Sequence, residues 1–343
     1  MNELADLKAQ AEKGDAAAQY RLAAVLDRAG DRKAADVWLD RAAAAHYPAA
    51  LYSKAVGLLE KAPTSVSAAE AARLLKHAAE GGNGAAGRRL AVLKALGLGT
   101  DEDWAGAVAL VEDAAASGRP DAAREMKALR AVSGAPKVGS VGAGTVRREA
   151  PPRLIQFSGA LSAFECEYVM NAAGPLLRPS AVADPALGAA RTAQFRTSDG
   201  AALGLLALDL PLIAIWRKLC AMAGAPPGHS ELMGVLRYRP GEEYRPHHDY
   251  LPEDAVDYSD VRRAGQRRAT LLTPLSAAYE GGETVFPRLG LRFRLAAGDS
   301  LLFENTADGE PIADSLHAGE PVASGEKWML TLWLREKRFW FWP

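Results

Sequence analysis

"RYRPGEEYRPHHDYL" spans Arg237–Leu251 and holds two of the chain's six histidines side by side, next to an aspartate. It lies behind a Pro-Gly turn that closes the apolar run "ELMGVLRY" (Glu231–Tyr238). Side chains i and i+2 of a strand share a face. His247 and Asp249 therefore point one way and His248 points the other. An imidazole and a carboxylate on one face make two metal ligands, and a third must come from elsewhere. The only other histidine downstream is His317, in "DSLHAGEPVASGEKW" (Asp314–Trp328). Two histidines and one carboxylate on one side of a metal leave three positions open, which is the facial triad of non-haem Fe(II) oxygenases. Lys327 follows His317 by ten residues, across a Gly turn and at the start of a long strand run. Its ammonium is a compact charge suited to the far carboxylate of a dicarboxylate whose other end chelates the metal.

The text around this stretch is built of short branched and aromatic runs cut by Gly and Pro. They include "RATLLTPL" (Arg268–Leu275), "ETVF" (Glu283–Phe286), "LRFRL" (Leu291–Leu295), "DSLLFEN" (Asp299–Asn305) and "KWMLTLWL" (Lys327–Leu334). Many short strands separated by turns predict a sandwich or barrel. Two helical stretches precede them, Phe157–Gly174 and Asp209–Gly224. Residues 152–343 are thus expected to form a jelly roll with supporting helices.

Residues 1–132 are written differently. They are alanine-rich, with leucine at helical spacing and no period-two stretch. Aligning Gly14, His46, Gly82 and Gly118 gives spacings of 32, 36 and 36 residues, and Ala18, Ala50, Ala86 and Ala122 fall in register behind them. Self-similarity at this period marks a helix-turn-helix solenoid. Residues 133–151, dense in Gly, Ala, Ser and Pro, read as a flexible linker.

Two resemblances follow from these residues. The first third, with "AEKGDAAAQYRLA" (Ala11–Ala23) and "AADVWLDRAAAA" (Ala34–Ala45), resembles Sel1-like tetratricopeptide-type repeats, an α-solenoid that presents a surface to peptides or protein partners. Residues 152–336 resemble the 2-oxoglutarate- and Fe(II)-dependent dioxygenases of the prolyl 4-hydroxylase family. "RTSDG" (Arg196–Gly200), Leu236–Leu251, "RRATLLTPLSAAYEGGETVFP" (Arg267–Pro287), "AGDSLLFEN" (Ala297–Asn305) and Ser315–Glu336 carry the likeness. It implies a double-stranded β-helix. It implies iron held by His247, Asp249 and His317, 2-oxoglutarate gripped by Lys327 and lined by Tyr238, O2 as co-substrate and ascorbate as reductant. It places Tyr244 beside the metal pair. The reaction implied is hydroxylation of an unactivated C–H bond, on a prolyl residue of a peptide or protein that the repeats help recruit. One departure stands out: Pro274 occupies the place of a tyrosine that in such proteins often helps bind 2-oxoglutarate.

Bulk numbers narrow the field. With 41 basic and 42 acidic side chains the formal charge is −1, so no field favours phosphate backbones and no nucleic-acid role is expected. The first 132 residues balance as well, eighteen against eighteen. No apolar run reaches the roughly 20 residues of a membrane span, and the polar start "MNELADLKAQAEKG" lacks the apolar core of a signal peptide. Two cysteines, Cys166 and Cys220, are too few for a disulfide scaffold. A cytoplasmic enzyme is the expectation.

Each assignment has a plainer competitor. For Lys327 the competitor is a strand-start lysine in solvent, and its fixed spacing from His317 favours the ligand role; Tyr238 and Tyr244 compete as packing residues, with pocket lining slightly ahead for Tyr238, and Arg196 reads equally as a structural ion pair. His248, on the opposite face, reads as structural. The four arginines of Asp260–Thr270 read as a solvated loop, and the aromatic run Phe339–Trp342 as a segment docked on the chain's own surface. Two functional alternatives stay open: an oxygenase acting on a free amino acid or other small molecule, and a repeat-based interaction protein whose oxygenase domain is weakened, with Pro274 as its first symptom.

Overall fold

The computed structural model describes residues 3–60, 64–132, 144–180, 197–251 and 259–339. Two compact units result, the first built mainly on residues up to Arg130 and the second on the chain from Ala131 onward.

The first unit is a series of helices: α1 (Glu3–Glu12), α2 (Ala16–Arg28), α3 (Arg32–Ala44), α4 (Pro48–Glu60), α5 (Ser65–Glu80), α6 (Gly84–Leu96), α7 (Trp104–Ala116) and α8 (Pro120–Ala131). Short turns join them two by two in chain order, α1 to α2 through α7 to α8. The turn inside each pair falls on one of the four aligned positions: Gly14, His46, Gly82 and Gly118 have φ of 93°, 56°, 89° and 80°. The repeat period is therefore the period of a left-handed turn, which glycine enters without a Cβ penalty and His46 enters against it. Behind each turn the aligned alanines, Ala18, Ala50, Ala86 and Ala122, are each 0 % exposed. A methyl at that point lets the helices close on one another. Asp15 and Asn83 cap the second helix of their pairs by accepting from Ala18 N (2.7 Å) and Ala86 N (3.1 Å), so the Gly-Asp and Gly-Asn pairs set both the turn and the helix start. Arg88 of α6 clasps Asp121 and Glu125 of α8 at 2.6 and 2.5 Å. Among the described residues no helix is long and apolar enough to cross a membrane.

The second unit has two helices early in its chain, α9 (Ala163–Ala173) and α10 (Leu210–Met222), and a short α11 (Ser259–Ala264). Its strands are β1 (Thr145–Arg148), β2 (Leu154–Phe157), β3 (Arg178–Pro179), β4 (Asp199–Ala202), β5 (Gly234–Tyr238), β6 (Tyr244–His247), β7 (Arg267–Pro274) and β8 (Tyr279–Gly281). These are followed by β9 (Thr284–Phe286), β10 (Leu291–Phe293), β11 (Ser300–Glu304), β12 (Thr306–Ala307), β13 (Glu310–Pro311), β14 (His317–Gly319), β15 (Val322–Gly325) and β16 (Lys327–Arg335). An eight-stranded sheet runs β1-β2-β11-β7-β16-β5-β4-β3, and a four-stranded one runs β10-β9-β14-β6. One core joins the two sheets. Leu154, Leu236, Leu272, Leu301, Phe303 and Met329 of the long sheet cluster with Phe286 of the short one. This is the jelly roll expected from the strand runs. Ser162 and Glu165 form a capping box on α9. Glu165, fully buried, also accepts two bonds from Lys218 of α10 at 2.9 and 2.8 Å, tying the two helices together.

The stretch expected as linker, 133–151, is strand over Thr145–Arg148, because β1 pairs antiparallel with β2; its residues 133–143 lie outside the described residues. Branched and aromatic runs were the sequence signal for strands, and β1, TVRR and mostly exposed, holds a single apolar residue.

Gly82 and Gly57 test the turn argument with one substitution of opposite effect. A Cβ at either meets nothing within 4 Å, but Gly82 has φ +89° while Gly57 lies within helix α4. Gly82→Ala is expected to cost about 1 kcal/mol, and Gly57→Ala to stabilise by about 0.5–1 kcal/mol. Urea denaturation of the full chain reads both; equal signs would remove the left-handed turn as the origin of the repeat.

Candidate metal centre

Strands β6 and β14 pair antiparallel, with His247 directly opposite His317. Their rings lie 4.2 Å apart, centroid to centroid. His247 Nδ1 donates to the Arg245 carbonyl (2.8 Å) and His317 Nδ1 to the Ser315 carbonyl (3.0 Å). A carbonyl can only accept, so each Nδ1 carries a proton and each Nε2 is the ring atom left to face the site. Both face Asp249: His247 Nε2 is 3.6 Å from Oδ1, and His317 Nε2 is 3.6 Å from Oδ2. One donor atom from each of the three residues lies within 4.8 Å of the others.

Asp249 reaches this place without a strand. β6 ends at His247, so simple alternation does not extend to residue 249, although it paired the correct residues. Side chains hold the segment instead. The Gln266 amide donates to the Leu251 carbonyl (2.7 Å) and accepts from Leu251 N (2.6 Å), standing in for a neighbouring strand. Arg267 donates to the Asp249 carbonyl at 3.4 Å. His248, on the other side, donates from Nε2 to the Ala313 carbonyl (3.0 Å), which bears out its structural reading.

The electrostatics suit a cation. Burial resists ionisation of Asp249, but the facing His317 and His247 and the Arg267 guanidinium outweigh it and hold the carboxyl well below the usual range. Burial, reinforced by His247, pulls the His317 imidazole down to about 4 against the attraction of Asp249. The cluster offers an ionised carboxylate and the Nε2 atoms of two imidazoles. This is the donor set that suits Fe(II) in a facial triad, and the residues present fit that ion.

Lys327 opens β16 opposite Tyr238 of β5. It is not a solvated lysine: it is 3 % exposed, its Nζ donates to the Gly282 carbonyl at 2.7 Å, and it lies 5.2 Å over the Tyr238 ring. Burial, with nearby Arg294, brings its ammonium down to about 8 despite Glu283. Lys327, Tyr238, His247, Asp249 and His317 line one pocket. Tyr244 stacks on His247 at 3.4 Å and 15°. Two glycines border Lys327, and the tighter position is Gly282. A Cβ on Gly282 (φ +68°) would stand 3.1 Å from Lys327 Cδ, and one on Gly319 would stand 3.7 Å from its Nζ.

Pro274 ends β7, buried, opposite Met329. It shares a strand face with Leu272 and Thr270, so a side chain there points to the pocket side. The Thr273 hydroxyl bonds Ser300 on the opposite face at 2.6 Å and supplies nothing to the pocket. Arg196 lies outside the described residues. In the aromatic tail, Phe339 is held by its own unit: its N–H donates to the Gly228 carbonyl (2.8 Å), its carbonyl accepts from Arg263 (2.6 Å), and residues 340–343 lie outside the described residues.

Sequence reasoning missed the supports. Arg267 belongs to the arginine stretch read as solvated, yet it makes two bonds to Glu231 (2.6 and 2.8 Å) and packs over Trp333 at 4.0 Å. Arg335, 1 % exposed, donates to the same carboxylate at 2.8 Å. Thr270 and Asn305 were passed over as ordinary strand residues. No local pattern marks them.

Residues 233–335 match the model of the 2OG-Fe(II) oxygenase superfamily. Over 201 residues, 54% of this chain and 70% of the relative, the sequence is 37% identical to prolyl 4-hydroxylase 1 of Arabidopsis thaliana. Among solved structures, the viral collagen prolyl hydroxylase of Paramecium Bursaria Chlorella virus-1 in its 2OG complex shares 26% identity with a TM-score of 0.40, covering 53% of this chain and 95% of that one. A Sel1 repeat protein from Oxalobacter formigenes shares 26% identity with a TM-score of 0.34, covering 37% and 98%. The metal centre, the superfamily match and the 37% identity to the Arabidopsis relative define a 2-oxoglutarate-dependent Fe(II) oxygenase. Within that superfamily the chain belongs to the prolyl 4-hydroxylase family.

The Glu231 cluster gives a test of the supports. Removing its carboxylate takes the shared anion from the Arg267 and Arg335 guanidinium groups, so Glu231→Ala is expected to cost about 3–5 kcal/mol. Chemical denaturation measures it, and a loss below about 1 kcal/mol would show that the arginines do not depend on it.

Proposed function

We propose that the chain hydroxylates prolyl residues of a peptide or protein, with Fe(II), 2-oxoglutarate and O2, and that the helical repeats bring that substrate in. One observation carries the reading: a His-Asp-His donor set and a buried lysine share a pocket. When bound, the iron with 2-oxoglutarate and O2 supplies an oxidant able to act on an unactivated C–H bond. The residues of the chain position and shield. His247, Asp249 and His317 offer three donors and leave the remaining positions open. Lys327 offers a positive charge to the distal carboxylate of the co-substrate. Its burial and that of Asp249 keep water from competing for both ends. Tyr238 forms a wall beside Lys327. Membership in the prolyl 4-hydroxylase family supports the choice of proline, and the solenoid supports a polypeptide over a free amino acid. A cytoplasmic location and ascorbate as reductant complete the proposal.

Prolyl peptides incubated with the chain, Fe(II), 2-oxoglutarate, ascorbate and O2 are expected to yield hydroxyproline by mass spectrometry, with matching succinate. Asp249→Ala is expected to abolish both. Succinate released with free amino acids while peptides stay unchanged would favour the small-molecule alternative.

The Lys327 ammonium gives a pH test. Its proton is held below pH of about 8 and lost above it, so affinity for 2-oxoglutarate is greatest below that value and declines beyond it. A fall of about fivefold between pH 8 and 9 is expected by calorimetry. Lys327→Arg, whose charge persists, should flatten the profile, and a wild-type profile already flat would remove Lys327 from the co-substrate site.

A further inference from the structure

We propose that Thr270 and Asn305 are positioning residues for the metal: a two-link relay of neutral donors that fixes the orientation of the Asp249 carboxylate. The proposal rests on the iron reading above and adds two residues to it.

The direction of the relay follows from hydrogen-bond capacity. An ionised carboxylate only accepts, so the Thr270 hydroxyl donates its single proton to Asp249 Oδ2, at 2.7 Å. With that proton spent, Thr270 Oγ1 must accept from its other neighbour. Asn305 therefore presents its amide nitrogen, and Nδ2 lies 2.9 Å from Oγ1. Thr270 and Asn305 are both 0 % exposed.

Each link is anchored by backbone. Thr270 sits in β7 between two partners, opposite Phe303 of β11 and Trp333 of β16. Asn305 follows β11, donating from its N–H to the Arg268 carbonyl (2.8 Å) and accepting from Ile312 N (2.9 Å). Asp249, by contrast, lies past the end of its strand. The relay thus ties a carboxylate without a ladder of its own to the middle of the largest sheet.

The chemistry of the donors matters. An Arg or Lys in the place of Thr270 would hold the carboxylate equally well, but would neutralise it and weaken its pull on a cation. A hydroxyl backed by an amide orients without neutralising. It engages Oδ2 and leaves Oδ1 turned toward His247 Nε2. Partners of this kind typically contribute 10–100-fold in metal affinity.

The test is a Co(II) titration of the metal-free full chain, read by calorimetry and by the visible spectrum of the bound ion. Thr270→Val keeps the shape and removes the hydroxyl; it is expected to weaken Co(II) binding about 10–100-fold and to alter the spectrum. Thr270→Ser restores the donor and is expected to restore both. Asn305→Leu leaves the hydroxyl without its lock and is expected to weaken binding about tenfold, which decides the matter should the valine variant fail to fold. A merely structural role would lower the melting temperature of the metal-free chain and leave Co(II) affinity within about twofold; that result overturns the proposal. Absence of Co(II) binding by the wild-type chain would instead sink the metal reading itself, and the relay with it.

Discussion

The second unit is organised around one costly object, a carboxylate buried in its ionised form. Asp249 is 6 % exposed, and an isolated charge in such a place would protonate rather than stay charged. Around it stand two imidazoles, a hydroxyl that donates to it and an arginine behind it, and the last two favour its charge. Each of those groups has its own requirements. The imidazoles need carbonyls at Arg245 and Ser315 to fix their protons. The arginine needs Glu231, and Glu231 then serves Arg335 as well. The polar interior of the jelly roll is a chain of obligations that starts at one oxygen pair.

The same constraint explains why Asp249 lies off the strand. Inside a ladder, its backbone would have had partners and its direction would have been set by the pleat. Outside, its main chain needs substitutes, which Gln266 and Arg267 supply from the start of β7. Those two residues and Thr270 lie within five positions of one another. One strand therefore fixes the backbone behind Asp249, its charge environment and its side-chain orientation.

Periodicity and spacing made the outline legible. The alignment of Gly14, His46, Gly82 and Gly118 found four left-handed turns before any φ was known. The strand runs located β5, β7, β9, β10, β11 and β16. His247, Asp249, His317 and Lys327 were brought to one pocket because their spacing matches a known pattern and because each has a chemistry that stands out in print. The supports have neither advantage. Thr270 is 21 residues from Asp249, Asn305 is 35 from Thr270, and Glu231 is 36 from Arg267. Such pairings are created by sheet order, which no local window contains. β1 escaped for a different reason, being an exposed edge strand that holds a single apolar residue.

Lys327 and Pro274 bear on how the pocket treats an anion. An ammonium has three donors, and among the described residues the one hydrogen bond of Lys327 goes to the Gly282 carbonyl. Its lowered pKa measures the cost of keeping that charge in a dry place. A carboxylate arriving there would recover the cost, so the lysine is more favourable with an anion than without one. Pro274 adds no donor, and Met329 opposite is apolar. On that side the pocket is lined by Leu272 and Met329, with the Thr331 hydroxyl beside them. The grip on an anion therefore falls more heavily on Lys327 here than in a pocket where a tyrosine hydroxyl would share it, and Gly282, where a Cβ would crowd the lysine stem at 3.1 Å, lets that stem lie where it does.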